Sequence, residues 1–278
     1  MRRILVTSAS GANGDGYGTL LSFSDAGQLS GPFSDDPRIT DPRGMSLNPA
    51  GDLVYLTSGD DRILALGKSG EVTLDSGRRD GLDGGGGTFA PDGRYCLTLR
   101  RRGTIMALPP QLDADGELLV PDRAVPFPRG FGFGGESQIY LSSGIGPTGE
   151  GDNTVAIFDR SGRLRNPRLV TDPELSPLDL AIAPNGHLVI SSEFPFGSAA
   201  AAPTIREYDP STGRLVRILT PNPAVNFARP RGLRFSPEGE LYWVGRDHVV
   251  AFDFPTGTFL GVIAEAQRLN GQAVLLID

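Results

Sequence analysis

The sequence predicts an all-β fold, a single six-bladed β-propeller of four-stranded antiparallel blades, and three observations predict it. One strand–turn–strand unit recurs along the whole chain, a glycine stands at its tight turns, and the last segment reads as an inner strand with nothing after it. Self-similarity at a period of roughly 20–50 residues marks solenoids, propellers and arrays, so the repeat comes before any single element.

The most complete unit begins Pro42-Arg43-Gly44 and runs through Met45-Ser46-Leu47 to a turn at Asn48-Pro49-Ala50-Gly51. An alternating strand over residues 54–58, a short loop at Gly59-Asp60-Asp61 and a third strand closing on Gly70 complete it. A second clear copy opens at Pro230-Arg231-Gly232 and turns at Gly239. Weaker copies open at Gly86, at Pro128-Arg129-Gly130 and at Pro177-Leu178-Asp179, with turns at Gly93, near position 137 and at Gly186. Turn glycines supply φ > 0, and the alternating apolar runs that flank them read as strands.

The sixth unit is split between the two ends. Leu269-Asn270-Gly271 opens an inner strand that stops at Asp278, and residues 4–8 repeat the pattern of residues 54–58. The N-terminus therefore supplies the rest of that blade, and the C-terminal strand closes the ring. Matching positions lie 39 to 53 residues apart, so residues 1–278 are used up as one domain. Closure removes the sheet edges that would template aggregation. An α/β barrel would need eight helical segments, and only residues 199–202 and 264–268 carry a weak helical period.

The units resemble the NHL repeat family, most closely in the blades opening at Pro42 and Pro230. The six-bladed plan is also distantly similar to that of gluconolactonase/SMP-30-like and strictosidine-synthase-like propellers. The resemblance implies that each first strand lines a central channel and that function sits on the face reached by the entry loops and the second-to-third-strand loops. Lactonases of this kind hold a divalent cation at the channel mouth with Glu, Asn and Asp from the entry slots. Only Asp179 and Asn270 match that pattern, and arginines in three slots would repel a cation, so no metal and no other cofactor is expected.

The entry slots read Arg43, Gly85, Arg129, Leu178 with Asp179, Arg231 and Asn270. Three arginines in alternate blades suit bidentate capture of a carboxylate or phosphate. The competing reading pairs each with a loop acid such as Asp60, Asp61, Asp179 or Asp247. Three second-to-third-strand loops are long, at residues 9–18, 144–153 and 193–203. Tyr17, Phe194 and Phe196 within them either cover a pocket or pack on the blades. The expected catalytic candidates are His248 with its neighbour Asp247, as a general base, and Glu193. Asp15, Glu150 and Asp152 are further loop oxygens, more simply read as solvated acids. Two histidines cannot build the three-histidine zinc site of amidating-lyase propellers.

A net charge of -7 disfavours DNA and anionic membranes as partners, and no apolar run has the length of a signal peptide or membrane helix, so a soluble cytoplasmic protein is expected. Cys96 is the only cysteine, which excludes an internal disulfide. Two functions follow: a small, anionic molecule bound at the channel mouth, with hydrolase or lyase chemistry, or a protein-interaction scaffold using the same face.

Overall fold

The structure is a computed structural model that describes residues 2–10, 16–135, 138–146, 149, 151–198 and 200–278. Among the described residues, twenty-four strands form six four-stranded sheets, each laid from the channel outward. The chain enters at β1 (Arg3–Ser8), β2 (Leu20–Ser24) and β3 (Leu29–Pro32), the three outer strands of blade 1. Blade 2 is β4 (Met45–Leu47), β5 (Leu53–Ser58), β6 (Arg62–Gly67) and β7 (Val72–Asp75). Blade 3 is β8 (Gly84–Phe89), β9 (Tyr95–Leu99), β10 (Thr104–Leu108) and β11 (Glu117–Leu118). Blade 4 is β12 (Pro128–Phe133), β13 (Ile139–Ser143), β14 (Thr154–Phe158) and β15 (Leu164–Val170). Blade 5 is β16 (Pro177–Ile182), β17 (Leu188–Phe194), β18 (Ala202–Tyr208) and β19 (Leu215–Leu219). Blade 6 is β20 (Leu233–Phe235), β21 (Glu240–Val244), β22 (His248–Asp253) and β23 (Thr258–Glu265).

The final strand, β24 (Gly271–Ile277), returns to blade 1 and pairs antiparallel with β1 from Arg3↔Ile277 to Ser8↔Gly271. The ring is closed as the split repeat predicts. The weak helical period at both marked stretches is overridden: Ala202 opens β18 and Ala264 lies inside β23. Both segments border β-paired neighbours, and the pairing decides their state. Among the described residues no helix is long and apolar enough to cross a membrane.

The core lies between blades rather than within them. Alternate residues of a strand face opposite sides of its sheet, so Leu5 joins Met45 and Leu56 of blade 2 while its neighbour Val6 joins Tyr242 and Val249 of blade 6. Each of the six blade interfaces holds one such cluster. A fully buried Leu, Val or Phe contributes about 1.5–3 kcal/mol, so every interface is a substantial share of the fold. Hydroxyls in the second strands add a repeated latch across the first interfaces. Thr7 Oγ1 donates to the Arg43 carbonyl at 2.9 Å, Thr57 Oγ1 to Gly85 at 3.2 Å, and Thr98 Oγ1 to Arg129 at 3.2 Å.

The four-residue turns on the lower face carry the glycines expected there. Gly51 has φ +75°, and the equivalent Gly93, Gly186 and Gly239 share that left-handed conformation. The turn near position 137 falls outside the described residues.

Candidate functional site

The latch defines structurally equivalent positions around the channel. Gly44 N–H donates to Thr57 Oγ1 and Ala273 N–H to Thr7 Oγ1, both at 2.9 Å, so Ala273 is the blade-1 equivalent of Gly44. The blade-1 entry slot is therefore Gln272, not Asn270 as the sequence pattern suggests. The register shift between Thr7 and Ser8 is shared with the equivalent point of blades 3, 4 and 5, and Asn270-Gly271 mimics the Arg-Gly dipeptide of the slot two residues too early. The Asn270 side chain instead donates to the Ala9 carbonyl at 3.1 Å, tying the N-terminal loop to the ring.

One residue further along each inner strand, the ring reads Gly44, Gly86, Gly130, Asp179, Gly232 and Ala273. Five positions are too small to obstruct the throat, and Asp179 enters the space they leave. A Cβ on Gly130 would stand 2.6 Å from Asp179 Oδ1, so the absence of a side chain at Gly130 is what admits the carboxylate, while one on Gly232 would be in ordinary contact with Oδ2 at 3.5 Å.

Asp179 meets Arg234 in this throat. Oδ1 accepts the Leu180 N–H at 2.9 Å, while Oδ2 accepts the Leu233 N–H at 3.0 Å and Arg234 Nη1 at 3.3 Å. The guanidinium then crosses the channel, Nη2 donating to the Met45 carbonyl of blade 2 at 3.0 Å and approaching Gly87 O of blade 3 at 3.5 Å. Burial pushes the Asp179 carboxyl up, and the Arg234 charge opposes that shift.

Above the pair, at the mouth on the upper face, a cavity of about 90 Å³ is lined by five arginines. Arg43, Arg129 and Arg231 come from the predicted slots and converge on it, together with Leu178 and Gln272. Arg100 and Arg234 join them, and sequence reasoning missed both. The signal for Arg100 was the bare slot at Gly85, because a Cβ there would lie 3.5 Å from the Arg100 side chain that covers it. For Arg234 it was a lone charge at the inner-strand position where the other blades carry Ser46, Thr88, Gly132, Ala181 and Leu275.

The five cations are balanced unequally. Arg43 pairs with Asp83 at 3.3 Å and more loosely with Asp41 at 3.9 Å, and Arg100 pairs with Asp83 at 2.7 Å. Burial raises the Asp83 pKa, and the Arg43 and Arg101 charges oppose it. Arg129 has its guanidinium 4.7 Å from the Phe127 ring and 5.5 Å from the Phe196 ring, and donates to the Ile145 carbonyl. Arg231 has no carboxylate within ion-pair distance among the described residues; its Nη1 donates to its neighbour's carbonyl, Pro230 O, at 2.7 Å. Burial lowers its pKa, the charge of Glu193 raises it, and that of Arg229 lowers it again.

The acids expected to neutralise the slot arginines are engaged elsewhere. Asp60 pairs with Arg62 at 3.3 Å, Asp247 with Arg246 at 3.7 Å, and Asp61 accepts the backbone N–H of Asp83 at 2.9 Å. His248 and Asp247 do not reach the mouth. They line a separate depression with Arg246, Glu265 and Arg268, where His248 Nε2 stands 3.9 Å from Glu265. β22 begins at His248, directing this pair to the rim of blade 6.

Glu193, by contrast, is buried near the end of β17 and acts electrostatically on Arg231. Phe196 reaches Arg129 from the long blade-5 loop, while Phe194 stays exposed and Tyr17, also exposed, donates to Gln267 O at 3.3 Å. Asp152 pairs with Arg168 at 3.2 Å; Asp15 and Glu150 lie outside the described residues.

The throat does not fit a divalent cation. Both Asp179 oxygens already accept N–H donors, and the Arg234 guanidinium supplies positive charge across the channel. Asn270, the other residue matching the lactonase pattern, does not line the mouth. Among the described residues, no group of three or more His, Cys, Asp and Glu is placed to share a metal ion.

Six closed blades around a channel with a cationic mouth define a six-bladed β-propeller. No family model matches the sequence, and no curated protein matches it. Among solved structures the chain is similar to one from a nidogen/laminin complex, with TM-score 0.75 and 14% identity over 100% of this chain and 99% of that one. It is also similar to a gluconolactonase from Xanthomonas campestris, with TM-score 0.61 and 17% identity over 81% of this chain and 76% of that one. A streptogramin B lyase gives TM-score 0.58 and 16% identity over 82% and 70%. At these identities the likeness is one of fold.

Proposed function

We propose that the protein binds a small anionic molecule, through a carboxylate or phosphate group, at the upper channel mouth. The observation that carries this is Arg231: a desolvated guanidinium with no carboxylate partner among the described residues, lining the same cavity as Arg43 and Arg129. Like charges held together in a partly desolvated space are costly unless a counter-charge joins them. An oxyanion between the slot arginines removes that cost, and Arg forms bidentate pairs with such groups. Lactonase-like and lyase-like propellers of the same fold support a small-molecule ligand. For hydrolysis or elimination on that ligand, Glu193 is the buried acid whose charge acts on Arg231.

The test is thermal unfolding with sulfate, phosphate and small carboxylates against chloride at equal ionic strength. A ligand that binds only the native state raises the midpoint. Sulfate or phosphate should stabilise the wild type beyond chloride, and Arg129→Ala should reduce that increment more than it reduces the midpoint without anion. Equal midpoints in sulfate, phosphate, carboxylate and chloride would overturn the reading.

A second reading is a protein-interaction scaffold on the same face. It is supported by the exposure of Tyr17 at 47% and Phe194 at 36%, and by the full-length likeness to a chain from a protein–protein complex. Substituting both aromatics by serine separates the readings, because anion stabilisation at the mouth should survive it.

A further inference from the structure

Arg43, Arg129 and Arg231 occupy one equivalent position, directly before the throat residues Gly44, Gly130 and Gly232. Two of these backbones are visibly fixed alike: Arg43 N–H donates to Thr57 O at 3.0 Å, and Arg231 N–H to the equivalent Val244 O at 2.8 Å. Blades 2, 4 and 6 alternate around a ring of six, so the three side chains reach the mouth from three evenly spread sides. The slots between them carry no charge, being Gly85 on blade 3, Leu178 on blade 5 and Gln272 on blade 1. Arg100 covers the bare side at Gly85.

The shape of an oxyanion decides how many of these sides it can use. A carboxylate has two oxygens in one plane, and a single bidentate guanidinium can occupy both. A phosphate monoester presents three acceptor oxygens around its ester bond, one for each of three sides. Each guanidinium has five N–H donors, so the bond from Arg231 to the Pro230 carbonyl leaves others to turn inward. Asp83 is divided between Arg43 and Arg100, and Asp41 stands 3.9 Å from Arg43, so that side also has donors for a further oxygen.

Size points the same way. A water takes about 30 Å³ of the liquid, so the mouth cavity of about 90 Å³ has room for one tetrahedral group rather than for a chain bearing two carboxylates. The organic part of a monoester then has to leave the mouth, and blade 5 offers an uncharged way out. Its slot residue is Leu178, and its long loop brings the Phe196 ring to 5.5 Å from the Arg129 guanidinium.

We propose that the anion taken by the mouth is the phosphoryl group of a small phosphate monoester, with one oxygen held by each of Arg43, Arg129 and Arg231. This narrows the anion-binding reading above and rests on it. The organic part of the ligand lies over Leu178 and Phe196.

Titration calorimetry on the full chain tests this with phenyl phosphate against phthalate, at about pH 7.5 where a monoester is a dianion. Both probes then carry two charges and one ring, and they differ in the shape of the anionic group. Phenyl phosphate should bind at least about tenfold more tightly than phthalate, benzoate or inorganic phosphate. Arg43→Met, Arg129→Met and Arg231→Met should each weaken phenyl phosphate by about tenfold or more, because each arginine holds one of three oxygens. Phthalate or benzoate binding as tightly as phenyl phosphate would overturn the proposal and leave the anion reading standing. Inorganic phosphate binding as tightly would assign the mouth to the free ion and overturn the monoester. A folded variant of any slot arginine that binds phenyl phosphate like the wild type would break the threefold set and overturn it too. The comparison of probes on the wild type decides even where a variant does not fold, and failure of every anion to bind would overturn both readings.

Discussion

Asp179 Oδ2 and Arg234 Nη1 lie 3.3 Å apart in the throat, on the inner strands of neighbouring blades, and the arginine reaches on to the Met45 carbonyl of blade 2. One ion pair thereby links three of the six blades and separates the cationic mouth from a second space lower in the channel.

Breaking that pair should destabilise the fold more than replacing it. Removing one partner of a buried pair leaves an uncompensated charge. With the Arg234 side chain 22% exposed, the expected loss for Asp179→Asn is about 1–3 kcal/mol, below the full cost of a dry site. Adding Arg234→Met to the Asp179→Asn variant should recover part of that loss, with a coupling of at least about 1 kcal/mol in a urea double-mutant cycle. Additive effects would show that the pair is incidental.

Arg231→Met should separate stability from binding. It removes a desolvated charge and keeps an unbranched stem, so without anion the variant should unfold at equal or higher urea concentration, by up to about 1 kcal/mol. The sulfate increment in melting temperature should fall sharply. A variant that loses stability but keeps the increment would assign Arg231 to the scaffold.

Acid should destabilise the protein through carboxylates held ionised in the fold. The Arg38 guanidinium holds Asp36 at about 2, and the Ser161 hydroxyl does the same for Asp159, against an ordinary value of 3.8. Such groups stabilise the fold above their ordinary value, and that contribution is lost as pH falls from there through their folded values. Urea midpoints should therefore fall from about pH 4 toward pH 2. A flat acid limb would contradict this.

Deleting residues 269–278 should abolish folding. The lost strand buries Ala273, Val274, Leu275 and Ile277 between blades, and at about 1.5–3 kcal/mol for each of the larger side chains this is comparable to the stability of a whole domain. It also exposes the inner edge of β1. A deletion variant that stays monomeric and melts cooperatively would show that the ring does not depend on β24.

The repeat, the number of blades and the split sixth blade were legible in the sequence because each is a local pattern: turn glycines such as Gly51 and Gly239, alternating runs such as residues 54–58, and an unpartnered apolar end. The slot arginines were legible for the same reason, since Arg43, Arg129 and Arg231 sit at one offset in the repeat. What repeat spacing could not convey is register and convergence. Asn270-Gly271 mimics the Arg-Gly dipeptide of the slot, while the latch of Thr7 to Ala273 puts the blade-1 slot at Gln272. Arg100 came from the turn after β9 to cover Gly85, and His248, so prominent in the sequence, was turned toward Glu265 at the rim. Asp179 and Arg234 are 55 positions apart in the chain and meet because five small residues leave the throat open. Local periodicity is written residue by residue, so the sequence alone determined the blades. Which side chains share the channel depends on closing six blades into one ring, and only the tertiary structure decided that.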